Sequence, residues 1–446
     1  MAAAPSLDLI TDLVGKARKA GADAADAVLF KSAHLGLRQR LGKPEMLERS
    51  ESQDLGLRVF IGKRQASVSS TDPSPKALAE AVEHAIAMAR IAPEDKFCGI
   101  ADADAIARAF PDLDLHDPGE PSPESLEARA RAAEDTARAV PGITNSEGAE
   151  SSWSQSEIVI AASNGFAGRY VRSGHGVSVS VIAGEGTAME TDYDYASSVH
   201  GADLEDAALV GRRAGERTVR RLNPRKAETA KVPVVFEPRV AASLVSHLAG
   251  AISGPSIARK SSFLKDRMGQ QILANGLQVI DDPLKPRGLR SRPFDGEGIA
   301  AKRLALVEDG VLKSWLLDLA SARQLGLTTT GHAARGTAGP PSPSATNLYL
   351  ATGKLSPEEL MADIASGFYV TSLMGQGINM VTGDYSRGAS GFWILNGRFA
   401  YPVSEVTVAG NLKDMYLKMT PANDLEFRTA VNAPTIRIEG MTVAGR

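Results

Sequence analysis

The side chains most able to do chemistry lie on one face of a helix near the middle of the chain. From Val240 the apolar residues fall at Val240, Ala241, Leu244, Val245, Leu248, Ala249 and Ile252, which is the stripe of an amphipathic helix. The other face carries Ser243, Ser246, His247 and Gly250. A short apolar strand, 232–236, feeds this helix, and Pro233 within it suits an edge or a strand start. A strand leading into a helix with a polar face is a frame on which hydrolases hold a metal. A hydrolytic metal site needs several protein ligands, an open position for water and a base to take the water's proton. This face offers one imidazole and two hydroxyls. A nucleophilic serine is no better supported, because the chain has no Gly-x-Ser-x-Gly elbow.

Other candidates carry less. Asp192, Asp194 and His200 lie in TDYDYASSVH, where alternating charges on an exposed strand face are expected rather than a metal cluster. GHG at 174–176 and GEG at 184–186 lack the strand–loop–helix context of a phosphate cradle and read as turns or bulges. Cys98 has no neighbouring base in FCGI and reads as a small apolar side chain. Five arginines (212, 213, 217, 220 and 221) on the helical stretch 204–222 are expected to snorkel and pair with acids. Asp384 and Arg387 lie in the segment VTGDYSRG, with Asn379 just before it. They could hold peptide or a partner chain; the plainer expectation is that Asp384 and Arg387 pair with each other and fix the turn.

The elements that position these residues imply an α+β protein of two domains, with helices packed on antiparallel or mixed sheets. At 446 residues the chain exceeds one ordinary core. Helices are expected at 6–21, 75–91 and 122–139, and strands at 27–30, 35–40, 45–51, 55–61, 65–70, 144–153, 156–163, 166–173, 177–183 and 188–198. Gly62-Lys63 and Asn164-Gly165 are hairpin turns. Residues 92–121 form a long connection, and the polar stretch 223–230 is the boundary between a domain at 1–225 and one at 226–446. In the second domain 356–367 reads as a capped helix, and 368–373, 378–381, 389–395, 399–403, 435–438 and 441–443 as strands. The glycine- and proline-rich segments 276–303 and 331–344 read as functional loops that could close over a substrate.

Composition excludes several classes. The net charge is −3, from 50 basic and 53 acidic residues, so no nucleic-acid or anionic-membrane partner is expected. One cysteine excludes a disulfide framework within the chain and fits a reducing cytoplasm. The first ten residues lack the pattern of a signal peptide, and no segment approaches the roughly 20 apolar residues of a membrane helix.

Three stretches taken together, PVVFEPRVAASLVSHLAGAISG, GHAARGTAGPPSPSATNLYL and GQGINMVTGDYSRGASGFWILNGRFAYPVSEVTVAGNLKDM, resemble the TldD/PmbA family, and its PmbA (TldE) branch more than its TldD branch. The resemblance is weak over the first 140 residues and strong from about 230 onward. It implies a cytoplasmic heterodimeric metallopeptidase for unfolded peptides, associated with microcin maturation and antitoxin degradation. One subunit bears zinc on a His-Glu-x-x-x-His helix and a later cysteine. Aligned on PVV, this chain has Ser246 at the first His, His247 at the Glu and Ala251 at the second His, and no cysteine near its C-terminus. The resemblance therefore implies a subunit without zinc of its own, partnered by a TldD-like zinc-bearing chain, or by a second copy of itself when alone. Any peptide would be held by strand addition, on an edge at 378–381 or 389–395. Two alternatives stay open: a peptidase acting alone with unusual ligands, and a non-enzymatic interaction protein modulating a toxin, an antitoxin or gyrase.

Overall fold

A computed structural model describes residues 5–445; the first four residues of the stretch read above for a signal peptide lie outside it. The fold is α+β. In the N-terminal half, α1 (Pro5–Lys19) leads into β1 (Ala24–Arg40), β2 (Lys43–Ile61) and β3 (Arg64–Ser70), followed by α2 (Pro75–Ile91) and α3 (Pro123–Arg138). Then come β4 (Ile143–Ala162), β5 (Ala167–Ala183), β6 (Glu190–Ser198) and α4 (Ala207–Arg220). The six strands form one antiparallel sheet in the order β3-β2-β1-β4-β5-β6.

Several strands expected to be short pieces are single long strands. The polar residues at 31–34 and 154–157 do not end them; the β1–β4 ladder runs through, Lys31 opposite Glu157 and His34 opposite Ser154. Strand alternation explains the pattern. Ala25, Ala27 and Leu29 pack with α1 and α2, and Leu35 and Leu37, of the same parity, pack with α3 and α4. The polar interval is the gap between two helix pairs on one sheet face. Val28, Ile158 and Ile160, of opposite parity, face the C-terminal half together with Phe294. On the α3–α4 side, a Cβ at Gly211 would sit 2.1 Å from the Ala133 carbonyl oxygen, so glycine there permits the close helix contact.

The connection 92–122 is clamped along the C-terminal half. Arg323 donates to the carbonyls of Phe97, Gly99 and Ile100 at 3.1, 3.1 and 2.7 Å, and Ile106 bridges to Ile299.

The C-terminal half begins with β7 (Ala230–Phe236), α5 (Pro238–Ala251) and α6 (Gly254–Ala258). Next are β8 (Val279–Asp281), β9 (Leu304–Glu308), β10 (Val311–Leu312), α7 (Leu319–Leu325), β11 (Ala333–Ala334), β12 (Ser342–Pro343) and β13 (Leu348–Leu350). After α8 (Pro357–Met361) come β14 (Ser366–Met374), β15 (Asp384–Leu395) and β16 (Arg398–Asn411), then α9 (Leu412–Leu417), β17 (Met419–Pro421), β18 (Val431–Asn432) and β19 (Ile436–Ala444). The larger sheet is mixed, in the order β16-β15-β14-β7-β19-β17, and β16 pairs with β19 as well, so the ladder closes on itself. The smaller sheet runs β10-β9-β8-β13-β18. Helix α5 lies in the core shared by both sheets, with Ala241, Leu244, Val245, Leu248 and Ala251 buried.

Two expectations here are corrected. The helix expected at 356–367 is a single capped turn, because Ser366 already starts β14. Residues 378–381 form no strand: Asn379 Oδ1 accepts from Val381 N and Thr382 N and folds them into a loop, with one bridge, Ile378 to Tyr385.

Candidate functional site

The polar face of α5 divides between two environments. Ser246, Ala249 and Gly250, with Ser253 just beyond the helix, line a cavity of about 520 Å³. His247 turns instead toward β15, its ring centroid 6.3 Å from that of Tyr385. Its Nε2 is buried without a hydrogen-bond partner. Burial, and then the nearby Arg387 guanidinium, hold the imidazole below its ordinary value. The serine hydroxyls donate to carbonyls of the helix itself, Ser243 to Val240 at 2.6 Å and Ser246 to Ala242 at 3.1 Å, so neither is paired with a base. Ala251 is fully buried in the core. Residues five apart stand about 140° apart around a helix, which is why Ser246 faces the cavity and Ala251 does not.

Asn379, Asp384 and Arg387 do not form one cluster. The Asp384 carboxylate accepts from Thr382 Oγ1 at 2.6 Å and Asn411 Nδ2 at 2.9 Å, and these bonds keep it below the usual carboxylate range. Together with Asn379 it shapes the turn at 379–384. Arg387, three residues along β15, is on the opposite strand face, beside Tyr385 and His247. The expected ion pair between Asp384 and Arg387 is therefore absent. Arg387 Nε and the Tyr385 hydroxyl are buried without partners of good geometry, and burial pushes the phenol up to about 12. Strand β15 is paired on both sides, by β14 and β16, so 389–395 offers no free edge for a peptide.

The cavity lies between the two halves. Its sheet wall is Phe30, Ile158, Ile160, Tyr170 and Arg172, all on the face turned away from the four N-terminal helices. The opposite wall comes from α5 and from the two loops read as functional, through Arg290, Arg292, Phe294, Asp295 and Arg335, with Thr346 just beyond the second loop. Phe294 packs against Phe166 and Tyr170 with centroids 5.1 and 5.3 Å away, and so ties the loop to the sheet.

Beneath the cavity Asp26 and Arg58 are directly opposed in β1 and β2. Asp26 accepts from Arg58 Nη2 at 2.5 Å and from Arg335 Nη2 at 2.6 Å. Burial opposes ionisation of Asp26, but the two guanidinium groups outweigh it and hold the carboxyl below its ordinary value. Glu297, buried nearby, is pushed up to about 8, by burial first and Asp295 second. His332, by contrast, is confined to Asp281 and Thr330, at 3.1 and 2.9 Å.

The strand face carrying Asp192 and Asp194 is buried, not exposed as expected. Asp194 is fully enclosed by Arg213 and Arg428, and Asp192 by Arg239 and Arg221. His200 is apart from them, hydrogen-bonded to the Asp114 carbonyl. Three of the five helical arginines pair with acids: Arg213 with Asp194 and Glu205, Arg217 with Glu237, Arg221 with Glu190; Arg220 lies over Phe392, and Arg212 makes no ion pair among the described residues.

These residues do not fit a catalytic zinc ion. Among the described residues no three His, Cys, Asp or Glu side chains gather into a metal-holding group. The one imidazole on α5 faces the positive charge of Arg387, which opposes a cation. Nor is any helix among them long and apolar enough to cross a membrane.

The strand–helix unit β7–α5 is set at a cleft between two sheet systems in an α+β fold. The chain belongs to the PmbA/TldD family of metallopeptidases. It matches the PmbA/TldA metallopeptidase domain 1 over residues 25–89, the central domain over 116–222 and the C-terminal domain over 229–445. Within the family it falls in the PmbA/TldE branch. It is 41% identical to metalloprotease PmbA of Escherichia coli O157:H7, over 95% of this chain and 93% of that one. A crystal structure described as a modulator of DNA gyrase from Bacteroides thetaiotaomicron has 27% identity and a TM-score of 0.91, with both chains fully covered. TldE of Thermococcus kodakarensis shares the fold, at 21% identity and a TM-score of 0.87 over 98% of this chain and all of that one.

Proposed function

We propose that this chain is the TldE-like subunit of a heterodimeric zinc metallopeptidase of TldD/TldE type acting on unfolded peptides in the cytoplasm. In this reading it shapes the peptide groove and contributes no zinc ligand; zinc belongs to a TldD-like partner. The observation that carries it is the state of α5. The helix keeps its place at the cavity, yet Ser246 bonds to its own helix, Ala251 is in the core and His247 sits beside a guanidinium.

The cleft itself, rather than an edge of β15, is the peptide-facing surface in this reading. On the outer side of the first sheet, β3 covers only 55–61 of β2, which leaves 43–54 without a strand neighbour there. At that hairpin tip Leu41, Met46 and Leu47 are exposed, Met46 and Leu47 on opposite strand faces, and the unpaired edge is suited to a partner chain.

The test is metal analysis of the purified chain, alone and co-purified with a TldD-like protein, together with gel filtration and peptide cleavage. Zinc in the complex but not in the chain, with co-elution and raised partner activity, is the expected result. One zinc per isolated chain with chelator-sensitive cleavage would establish a peptidase acting alone instead. Separate elution with unchanged partner activity would remove the subunit reading.

A further inference from the structure

We propose that the cleft between the two halves is a carboxylate-binding site that anchors a peptide by an acidic group, its carboxyl terminus or an Asp or Glu side chain. The proposal rests on the peptide-groove reading above and specifies the chemistry of what is held.

Four guanidinium groups line the cavity: Arg172, Arg290, Arg292 and Arg335. Among the described residues only Arg335 forms an ion pair with an acid, Asp26, and Asp26 is shared with Arg58. Arg292 donates to the carbonyls of Ala333 and Gly331, and Arg172 to that of Leu289. These neutral acceptors leave the charge in place. Asp295, the acid on the cavity wall, accepts from three backbone amides, those of Glu297, Ile299 and Ala333, at 2.9, 2.9 and 3.0 Å. Burial, the larger effect, raises its carboxyl above the ordinary value, against Arg292, which acts on it without a direct ion pair. Arg335, with a side chain only 2% exposed, keeps Nε and Nη1 without acceptors, and Arg292 Nε is likewise buried and unpartnered. Buried guanidinium charge short of a countercharge is costly, and an anion held in the cleft beside the exposed Arg290 would offset that charge electrostatically.

The shape of the cavity selects the anion. Its volume of about 520 Å³ falls within the range of small-ligand sites. The planar fork of a guanidinium matches a carboxylate in bidentate geometry. Part of the sheet wall, Phe30, Ile158 and Ile160, is apolar; it lies on the same wall as Arg172 and opposite Arg290, Arg292 and Arg335. A group with a carboxylate head and an apolar body, such as the last residue of a peptide, fits both walls.

The experiment uses fluorescence anisotropy on the full chain, alone and with a TldD-like partner. Three labelled decapeptides are compared: one ending in leucine with a free carboxyl, its C-terminal amide, and the amide with glutamate at the penultimate position. The free acid is expected to bind at least about tenfold more tightly than the plain amide, and added salt should narrow the gap. Recovery of binding by the glutamate peptide would assign the carboxylate to a side chain; its failure to recover would assign it to the terminus, and both outcomes support the site. Arg335→Met should remove the preference. Arg290→Gln should reduce it, and since Arg290 is exposed and makes no ion pair, that variant keeps the test open should Arg335→Met fail to fold. Equal binding of all three peptides would overturn the carboxylate site while leaving the peptide groove standing. A preference unchanged in both folded variants would overturn the assignment to this cleft. No binding of any peptide, with or without partner, would overturn the groove reading too.

Discussion

Two arginine-rich regions of this molecule use the same residue types and reach opposite electrostatic states. Around α4, Arg213, Arg217, Arg221, Arg239 and Arg428 meet Glu190, Asp192, Asp194, Glu205 and Glu237, one acid for each base. In the cleft, Arg58, Arg172, Arg290, Arg292 and Arg335 meet, among the described residues, Asp26 alone as a direct ion-pair partner. The balanced network seals the N-terminal sheet against the C-terminal half: Arg239, on α5, reaches Asp192 on β6, and Arg428 reaches Asp194. It is a structural joint. The cleft cluster is left positive where the cavity opens, which is the arrangement of a binding surface. The number of arginines does not separate the two roles; the presence of a partner for each one does.

This contrast can be broken by substitution. The largest effect is expected in the joint. Arg239→Met leaves the buried Asp192 and Glu237 short of a countercharge and should cost about 3 kcal/mol in urea unfolding. The same loss on Arg335→Met would erase the distinction. Next is Glu297→Gln. The folded protein raises Glu297 from 4.5 to about 8, so its stabilising contribution is full below pH 4.5 and is lost as pH rises through about 8. At pH 9 the glutamine variant should exceed the wild type by about 2 kcal/mol, read from urea midpoints; a smaller gap at pH 9 than at pH 5 would refute it. Arg335→Met follows, at about 1 kcal/mol, because Asp26 keeps Arg58 and two unpartnered donors are removed.

The smallest effect concerns His247. Its folded value is depressed below 6.5, so its contribution is full above pH 6.5 and is lost as the pH falls through the folded value. Wild type should lose more stability than His247→Phe between pH 7.5 and pH 5, and parallel curves would remove His247 from the acid response.

Much of the architecture was legible in the chain. The ranges expected for α2 and α3 hold to within a residue, and in the structure each helix starts with a serine cap followed by proline, which is local chemistry. The stripe on α5 was equally plain, since a 3.6-residue period needs one buried face and nothing more. Strand lengths were not legible. The polar breaks at 31–34 and 154–157 resemble strand ends, and only the placement of two helix pairs on one face shows them to be a gap. The Asp192–Asp194 face was misread because its arginines come from α4, from α5 and from position 428, and no local pattern announces them.

The site divides in the same way. The loops 276–303 and 331–344 stood out by glycine and proline content, and both line the cleft. Which of their residues mattered did not stand out. An arginine looks alike in sequence whether or not an acid waits for it, and Asp26 and Arg335 are more than three hundred positions apart.

What the sequence determined alone was residue chemistry and local period: the family motifs, the helix caps, the hairpin turns, and a helix carrying Ser246, His247 and Ala251. What only the tertiary structure decided was which side chains meet. It set Ala251 in the core, separated Arg387 from Asp384 onto opposite strand faces, and gathered arginines from both halves around one shared carboxylate. The reason is physical: turns, caps and amphipathic stripes are governed by neighbours a few residues away, whereas burial and charge balance depend on groups that only the folded chain brings within a few ångströms.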